Sequence, residues 1–287
     1  MGSGDLRRTD LAVELRPEGT EEETGVRFEE GEREGIPFSL VTVLNEAGEK
    51  ALGRPCGRYA SLDLGAVWLD GDGEAERKGR AFAALLSEFA GGKRAALAVC
   101  LGNRAITADA LGPLVMERLR VTRHLVGTEL EELTEGRTLA AFAPGVVGQT
   151  GIETLGLVLG AAEHAVPDVV IAVDALAARS PERLCTTLQI CDTGIAPGSG
   201  IGNRRAALNE RTLGVPVIAI GVPTVADSTA LILDALERSG EEPSEALLSR
   251  LGSGQRLFVS RRETDEALLL LSSMIADAVN GLFSCFS

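Results

Sequence analysis

The sequence predicts an α/β fold, with a mostly parallel central sheet covered by helices (phosphorylase/hydrolase-like) and a small β-rich N-terminal layer. Three observations predict it. Short, wholly apolar runs at 95–101 and 169–173 read as strands buried on both faces. They alternate with segments of helical period, the βαβ rhythm of a parallel sheet. Only 3% of the 287 residues are aromatic against 45% hydrophobic, so Ala, Val, Leu and Ile must fill the interior.

Along the chain, residues 1–35 are rich in Glu, Gly and Arg and lack sustained periodicity, so they read as exposed. Short β-leaning runs at 38–44, 59–64 and 67–69 are broken by Gly and Asn, and about 36–70 is expected to form a peripheral β layer. A helix is predicted over 74–89, where Phe82, Leu85, Leu86 and Phe89 recur at helical spacing before the Gly91-Gly92 stop. Strand 95–101 runs into Gly102-Asn103, followed by a polar turn and a helix through Leu114, Val115 and Leu119.

The alternation then repeats: strand 139–142, helix 151–165, strand 169–173, and later strand 215–220 with helix 225–236. Thr150 and Glu153 have the spacing of a capping box for the helix at 151–165, with Leu155, Val158, Leu159 and Ala162 on one face. Residues 184–195 alternate as a strand whose direction the sequence leaves open. A glycine-rich loop follows at 197–203, then an irregular excursion at about 239–254 and a C-terminal amphipathic helix at about 264–283.

Composition excludes several partners. A net charge of −14 repels phosphate backbones and argues against direct nucleic-acid binding. The five cysteines lack CxxC spacing and their odd count suits reduced thiols, so a cytoplasmic location is expected. The basic residues near the N-terminus have no apolar run behind them, and no apolar stretch approaches the ~20 residues that span a bilayer; neither export nor membrane insertion is expected.

In open parallel sheets the ligand site lies beyond the carboxyl ends of the strands. Asp109 follows strand 95–101 after the turn through Gly102 and Asn103, and Asp174 follows strand 169–173 directly. Two partly desolvated carboxylates on one rim oppose simultaneous ionisation, so they can share a proton, one activating water and the other polarising an amide. The plainer alternative is that Asp109 caps a helix whose first turn holds Pro113 and that Asp174 binds loop amides.

Other candidates are weaker. The loop from Gly198 to Asn203, including Ser199, lacks the Lys and Ser/Thr of a phosphate-binding P-loop and reads as a cleft-lining turn. Asp192, Thr193 and Gly194 are cleft candidates, although the α/β rhythm is wrong for an all-β aspartic protease. His124 and His164 lie within or at the ends of helices away from the rim, leaving no material for a Ser-His-Asp triad. No zinc-ligand spacing appears, and a metal bridging Asp109 and Asp174 would be an incomplete transition-metal site.

The chain resembles the GPR germination endopeptidases of spore-forming bacteria. The blocks that carry the resemblance run from Arg8-Thr9-Asp10-Leu11-Ala12-Val13-Glu14 through Leu101-Gly102-Asn103 and Thr107-Ala108-Asp109-Ala110-Leu111-Gly112-Pro113. They continue with Val121-Thr122-Arg123-His124-Leu125, Pro144-Gly145-Val146-Val147-Gly148-Gln149-Thr150-Gly151, Ala172-Val173-Asp174-Ala175-Leu176, Asp192-Thr193-Gly194-Ile195 and Gly214-Val215-Pro216-Val217-Ile218.

The resemblance implies an atypical aspartic endopeptidase, related in fold to the hydrogenase-maturation endopeptidases. It would act on small acid-soluble spore proteins in the spore core during germination, without a cofactor. Its catalytic pair falls on Asp109 and Asp174. It further implies a zymogen that cleaves itself between Asp10 and Leu11, so that 1–10 is a candidate pro-segment and 11–287 a single peptidase domain, and a homotetramer. The alternatives are a metal-assisted maturation-type endopeptidase using the same two acids, and a catalytically silent peptide-binding homologue.

Overall fold

The structure is a computed structural model and describes residues 9–198, 205–253 and 257–284. Among them are the strands β1 (Val26–Arg33), β2 (Ile36–Val43), β3 (Gly57–Asp63), β4 (Ala95–Cys100), β5 (Thr138–Phe142), β6 (Val169–Ala178), β7 (Thr187–Cys191), β8 (Val217–Asp227) and β9 (Phe258–Val259). The helices are α1 (Glu21–Thr24), α2 (Glu46–Leu52), α3 (Asp72–Ala90), α4 (Leu111–Met116), α5 (Val147–Thr150), α6 (Thr154–Ala165), α7 (Glu210–Leu213), α8 (Ser228–Ser239), α9 (Glu245–Ser253) and α10 (Thr264–Phe283).

All the strands join one sheet in the order β1-β2-β3-β7-β8-β6-β4-β5, with β9 beside β8. The strands built on the apolar runs form its parallel part, β5-β4-β6-β8. The expected N-terminal layer is not separate from it. Strand β7 runs antiparallel to both β8 and β3, so its two hydrogen-bonding edges carry the ladder straight onto β3, β2 and β1. Strand β1 falls inside the stretch read as irregular; it is a mostly exposed edge strand whose charged residues hide any alternation. Residues Val67–Leu69 form a 3-10 turn instead of a strand.

Alternate residues of each strand face two cores. On one side Ala96, Ala98, Ile171, Val173, Ile218 and Ile220 meet Phe82, Leu85 and Leu86 of α3, Leu111 and Leu114 of α4, and Leu271, Ile275 and Phe283 of α10. On the other, Leu97, Val99, Val170, Ala172, Val217 and Ala219 meet Val158 of α6, Leu213 of α7 and the N-terminal Ala12. Helix α10 is long and apolar enough to cross a membrane, yet Leu268, Leu271, Ile275, Val279 and Phe283 recur at helical spacing and are buried against the sheet.

Three local expectations change. The predicted capping box fails because Gly151 (φ 69°) breaks the chain into α5 and α6. Thr150 therefore ends α5, and its hydroxyl bonds around Ile152. Glu153 stands at the N-cap of α6 without a side-chain cap. The excursion at 239–254 contains α9, a helix with no buried residue. Strands β6 and β8 each extend several residues beyond their apolar runs, which decides the geometry of the site.

Candidate active site

Strand β4 stops pairing at Cys100, opposite Val173, while β6 and β8 run on together from Asp174–Gly221 to Ala178–Ala226. Asp174 is thus within β6, not after it: it is the first residue beyond the end of β4. The rim expected at a strand terminus is a step in the sheet. Asp174 belongs to the face of Val170 and Ala172, and its side chain is 7% exposed.

The chain leaving β4 turns into the space beside this step. Leu101 N–H donates to the Val173 carbonyl at 2.8 Å, and Gly102 takes φ 114°. Asn103 N–H then donates to the Asp109 carbonyl at 2.9 Å, which closes the 102–109 turn. The Thr224 hydroxyl on β8 fastens the turn by donating to the Ala108 carbonyl at 2.6 Å. Asp109 ends a 3-10 turn (Thr107–Asp109), and the N-cap of α4 is Ala110, so Asp109 does not cap that helix.

Asp109 and Asp174 line one cavity of about 490 Å³, together with Asp10, Gln189, Arg54 and Tyr59. Burial pushes the Asp174 carboxyl well above the ordinary carboxylate range, and the charges of Asp109 and Asp10 push it the same way. Against this works the Ala175 N–H, which donates to Asp174 Oδ1 at 2.9 Å. Burial also raises Asp109, opposed by a backbone hydrogen bond from Asn103. Asp174, more deeply buried and facing two other acids, is pushed further toward its neutral form than Asp109.

The N-terminal segment reaches this cavity through Asp10. Asp10 N–H donates to the Ala177 carbonyl at 2.8 Å, and Ala177 N–H returns a bond to the Asp10 carboxylate at 2.9 Å. Leu11 and Ala12 are fully buried, Leu11 among Leu176, Ala178, Leu184 and Ala226. Glu14 anchors the far end, its carboxylate accepting from Arg179 N–H at 2.7 Å and Ser180 N–H at 2.9 Å and bonded by the Thr9 hydroxyl. Arg54 Nη2 donates to the Thr9 carbonyl at 2.5 Å.

Of the other predicted residues, Thr193 and Gly194 line the cavity. Gly102 and Asn103 lie behind Asp109 and set its position. Asp192 stays outside the cavity lining, because its carboxylate is taken by Arg58, from N–H at 2.7 Å and Nε at 2.8 Å. Ser199 lies outside the described residues. Both histidines are exposed and away from the cavity. Gln189 and Arg54 were not singled out from the sequence; a glutamine inside an apolar strand, Leu188-Gln189-Ile190, was the available signal for the first.

The profile of the germination protease family, Peptidase_A25, matches residues 6–245. A germination protease from Caldanaerobacter subterraneus subsp. tengcongensis is 47% identical over 243 residues, covering 83% of this chain and 75% of that one. One from Bacillus cytotoxicus is 44% identical over 264 residues, covering 84% and 71%. Among solved structures, the NiFe hydrogenase maturation protease HycI from Thermococcus kodakarensis KOD1 aligns with 68% of this chain and 99% of its own, at 18% identity and a TM-score of 0.38. With an α/β fold, two acids on one cavity and this match over most of its length, the chain belongs to the germination protease family of peptidases.

Proposed function

We propose that this endopeptidase begins the breakdown of small acid-soluble spore proteins during germination, by water attack assisted by Asp109 and Asp174. The observation that carries the reading is that both acids line one cavity with raised pKa values, and that Asp10, the residue before the expected cut, lines the same cavity. Asp109, the more accessible acid, takes a proton from water as the water oxygen attacks the carbonyl carbon. Asp174 gives its proton to the carbonyl oxygen. When the tetrahedral intermediate collapses, the C–N bond breaks, protonated Asp109 passes its proton to the leaving nitrogen, and a hydroxyl of the intermediate returns one to Asp174.

In this reading the zymogen cuts its own Asp10–Leu11 bond, and the processed chain begins at Leu11. Action in the cytoplasm of the spore core and assembly as a homotetramer belong to the same proposal. Leu159 and Val166, seven residues apart at α6 and both exposed, support a subunit contact there. The net charge of −14 supports action on substrate that has left DNA.

The test incubates wild type, Asp109→Asn and Asp174→Asn with a small acid-soluble spore protein, with and without chelator, and reads the new termini by mass spectrometry. Cleavage by wild type alone, unaffected by chelator, is expected. Activity that survives both substitutions overturns the acid pair, and loss on chelation turns the reading toward a metal.

A further inference from the structure

Gln189 is the side chain that meets the main chain on both sides of Leu11. It sits in the middle of β7, 6% exposed, between Leu188 and Ile190. Its Nε2 donates to the Asp10 carbonyl oxygen at 3.2 Å, and its Oε1 accepts from Ala12 N–H at 2.8 Å. A carboxamide offers a donor and an acceptor side by side without carrying charge at any working pH. Both ends are used here on backbone groups whose polarity dictates its orientation. The carbonyl of one residue and the N–H of the second residue after it are the groups a strand presents to one residue of a parallel neighbour. Gln189 therefore stands in for that neighbour.

The sheet register connects this contact with the acids. Gln189 pairs with Gly221, and Gly221 pairs with Asp174, so the three form one row across β7, β8 and β6. Adjacent strands lie about 4.8 Å apart, which puts the Cα atoms of Gln189 and Asp174 about 10 Å from each other. Alternation places both side chains on one face, with a residue lacking a side chain between them. A Cβ on Gly221 would press into the Leu176 side chain, which packs with Leu11. The missing side chain lets Leu176 pack down over the centre of the row, and Leu11 packs with Leu176, so the N-terminal segment crosses the face between the acid at one end and the carboxamide at the other.

We propose that Gln189 holds the scissile peptide in every substrate of this enzyme. Its Nε2 donates to the carbonyl oxygen of the residue before the cut, and its Oε1 accepts from the N–H of the second residue after it. This rests on the reading that Asp10–Leu11 is the bond the chain cleaves. As water attacks, negative charge develops on that carbonyl oxygen, so the Nε2–H bond to one lone pair strengthens while Asp174 delivers its proton to the other and leaves a hydroxyl. The Oε1 contact recognises main chain only, so it sets which bond lies over the acids whatever the flanking side chains are. The two ends affect different constants: the donor acts in the transition state and raises kcat, and the acceptor acts in ground state and transition state alike and lowers KM.

The experiment compares wild type and Gln189→Met, which keeps side-chain length and removes both bonds. Cleavage of the Asp10–Leu11 bond in the full chain is followed by mass spectrometry, and processed enzyme is assayed on a Thr-Asp-Leu-Ala-Val-Glu peptide. The expected result is a fall in kcat of about 10²–10³-fold, the usual effect of removing an oxyanion donor. A second peptide carries an N-methyl group on the alanine nitrogen. It should raise KM for wild type and leave KM unchanged for Gln189→Met, a coupling that a merely structural role would not produce. If Gln189→Met does not fold, the N-methyl peptide on wild type decides alone. Equal kcat in the variant, or no KM change with the N-methyl peptide on wild type, overturns the role of Gln189. A wild type that leaves Asp10–Leu11 intact and does not cut the peptide overturns the cleavage reading instead, and is told apart because the loss appears before any substitution.

Discussion

The backbone oxygen of Asp109 lies 2.1 Å from where the Cβ of any larger residue at position 102 would stand, so the approach of Gly102 to Asp109 leaves no space for a side chain. Gly102 also has φ 114°, which L side chains rarely adopt. Gly102→Ala should therefore cost about 1–3 kcal/mol of stability and push the 102–109 turn outward. Displacing a reacting group by about 1 Å lowers rates by about 10²-fold. Kinetics on the folded variant should show that loss in kcat, and an unchanged kcat would mean that Asp109 tolerates the shift.

Asp174→Asn should separate activity from stability. The folded pKa of Asp174 is raised above its unfolded value, so between the two the folded state binds a proton that the unfolded state has released. Stability therefore falls as pH rises from the ordinary value of 3.8 toward the folded pKa. Asparagine has no such proton to lose. The variant should be inactive and melt higher than wild type at pH 7, with the difference vanishing as pH approaches 3.8. Each kcal/mol gained moves Tm about 2–4 °C in a chain of this size. A lower Tm at pH 7 would contradict a raised folded pKa of Asp174.

Lys78 of α3 donates to both oxygens of Asp70 at 2.7 Å, with side-chain exposures of 6% and 10%. Lys78→Ala leaves a buried carboxylate without its cation, at a cost of about 3–5 kcal/mol. The pair is absent from the cavity lining, so activity per folded molecule should stay at the wild-type level while denaturant midpoints fall. Lys78→Met with Asp70→Leu should recover most of the loss.

Glu14 fastens the N-terminal segment through two backbone amides, and Arg183 Nε lies 3.6 Å from its carboxylate. Hydrogen bonds to a charged group contribute about 1.5–3 kcal/mol each. Glu14→Ala should make the amides of Asp10, Leu11 and Ala12 exchange hydrogen much faster in the folded protein, as mass spectrometry of the N-terminal peptide would detect. Unchanged protection would show that burial of Leu11 and Ala12 holds the segment by itself.

What the sequence determined by itself is local. The apolar runs at 95–101 and 169–173 became β4 and the first half of β6, and Thr264–Phe283 became α10, because period and composition express which faces are buried. Asp109 and Asp174 were also legible, each following a buried strand run near a glycine or a small residue. Tertiary structure decided whatever depends on pairing between distant segments. The alternating run at 184–195 could not reveal that β7 joins the parallel strands to an antiparallel half, since strand direction is set by partners far away in the chain. Residues 174–178 and 221–227 extend β6 and β8 past the breaks that Asp174 and Gly221 make in the apolar runs, because each strand supplies the other's ladder. That pairing puts Gln189 in register with Asp174 and brings Asp10 to both, a meeting of residues 10, 109, 174 and 189 that only closing the sheet produces.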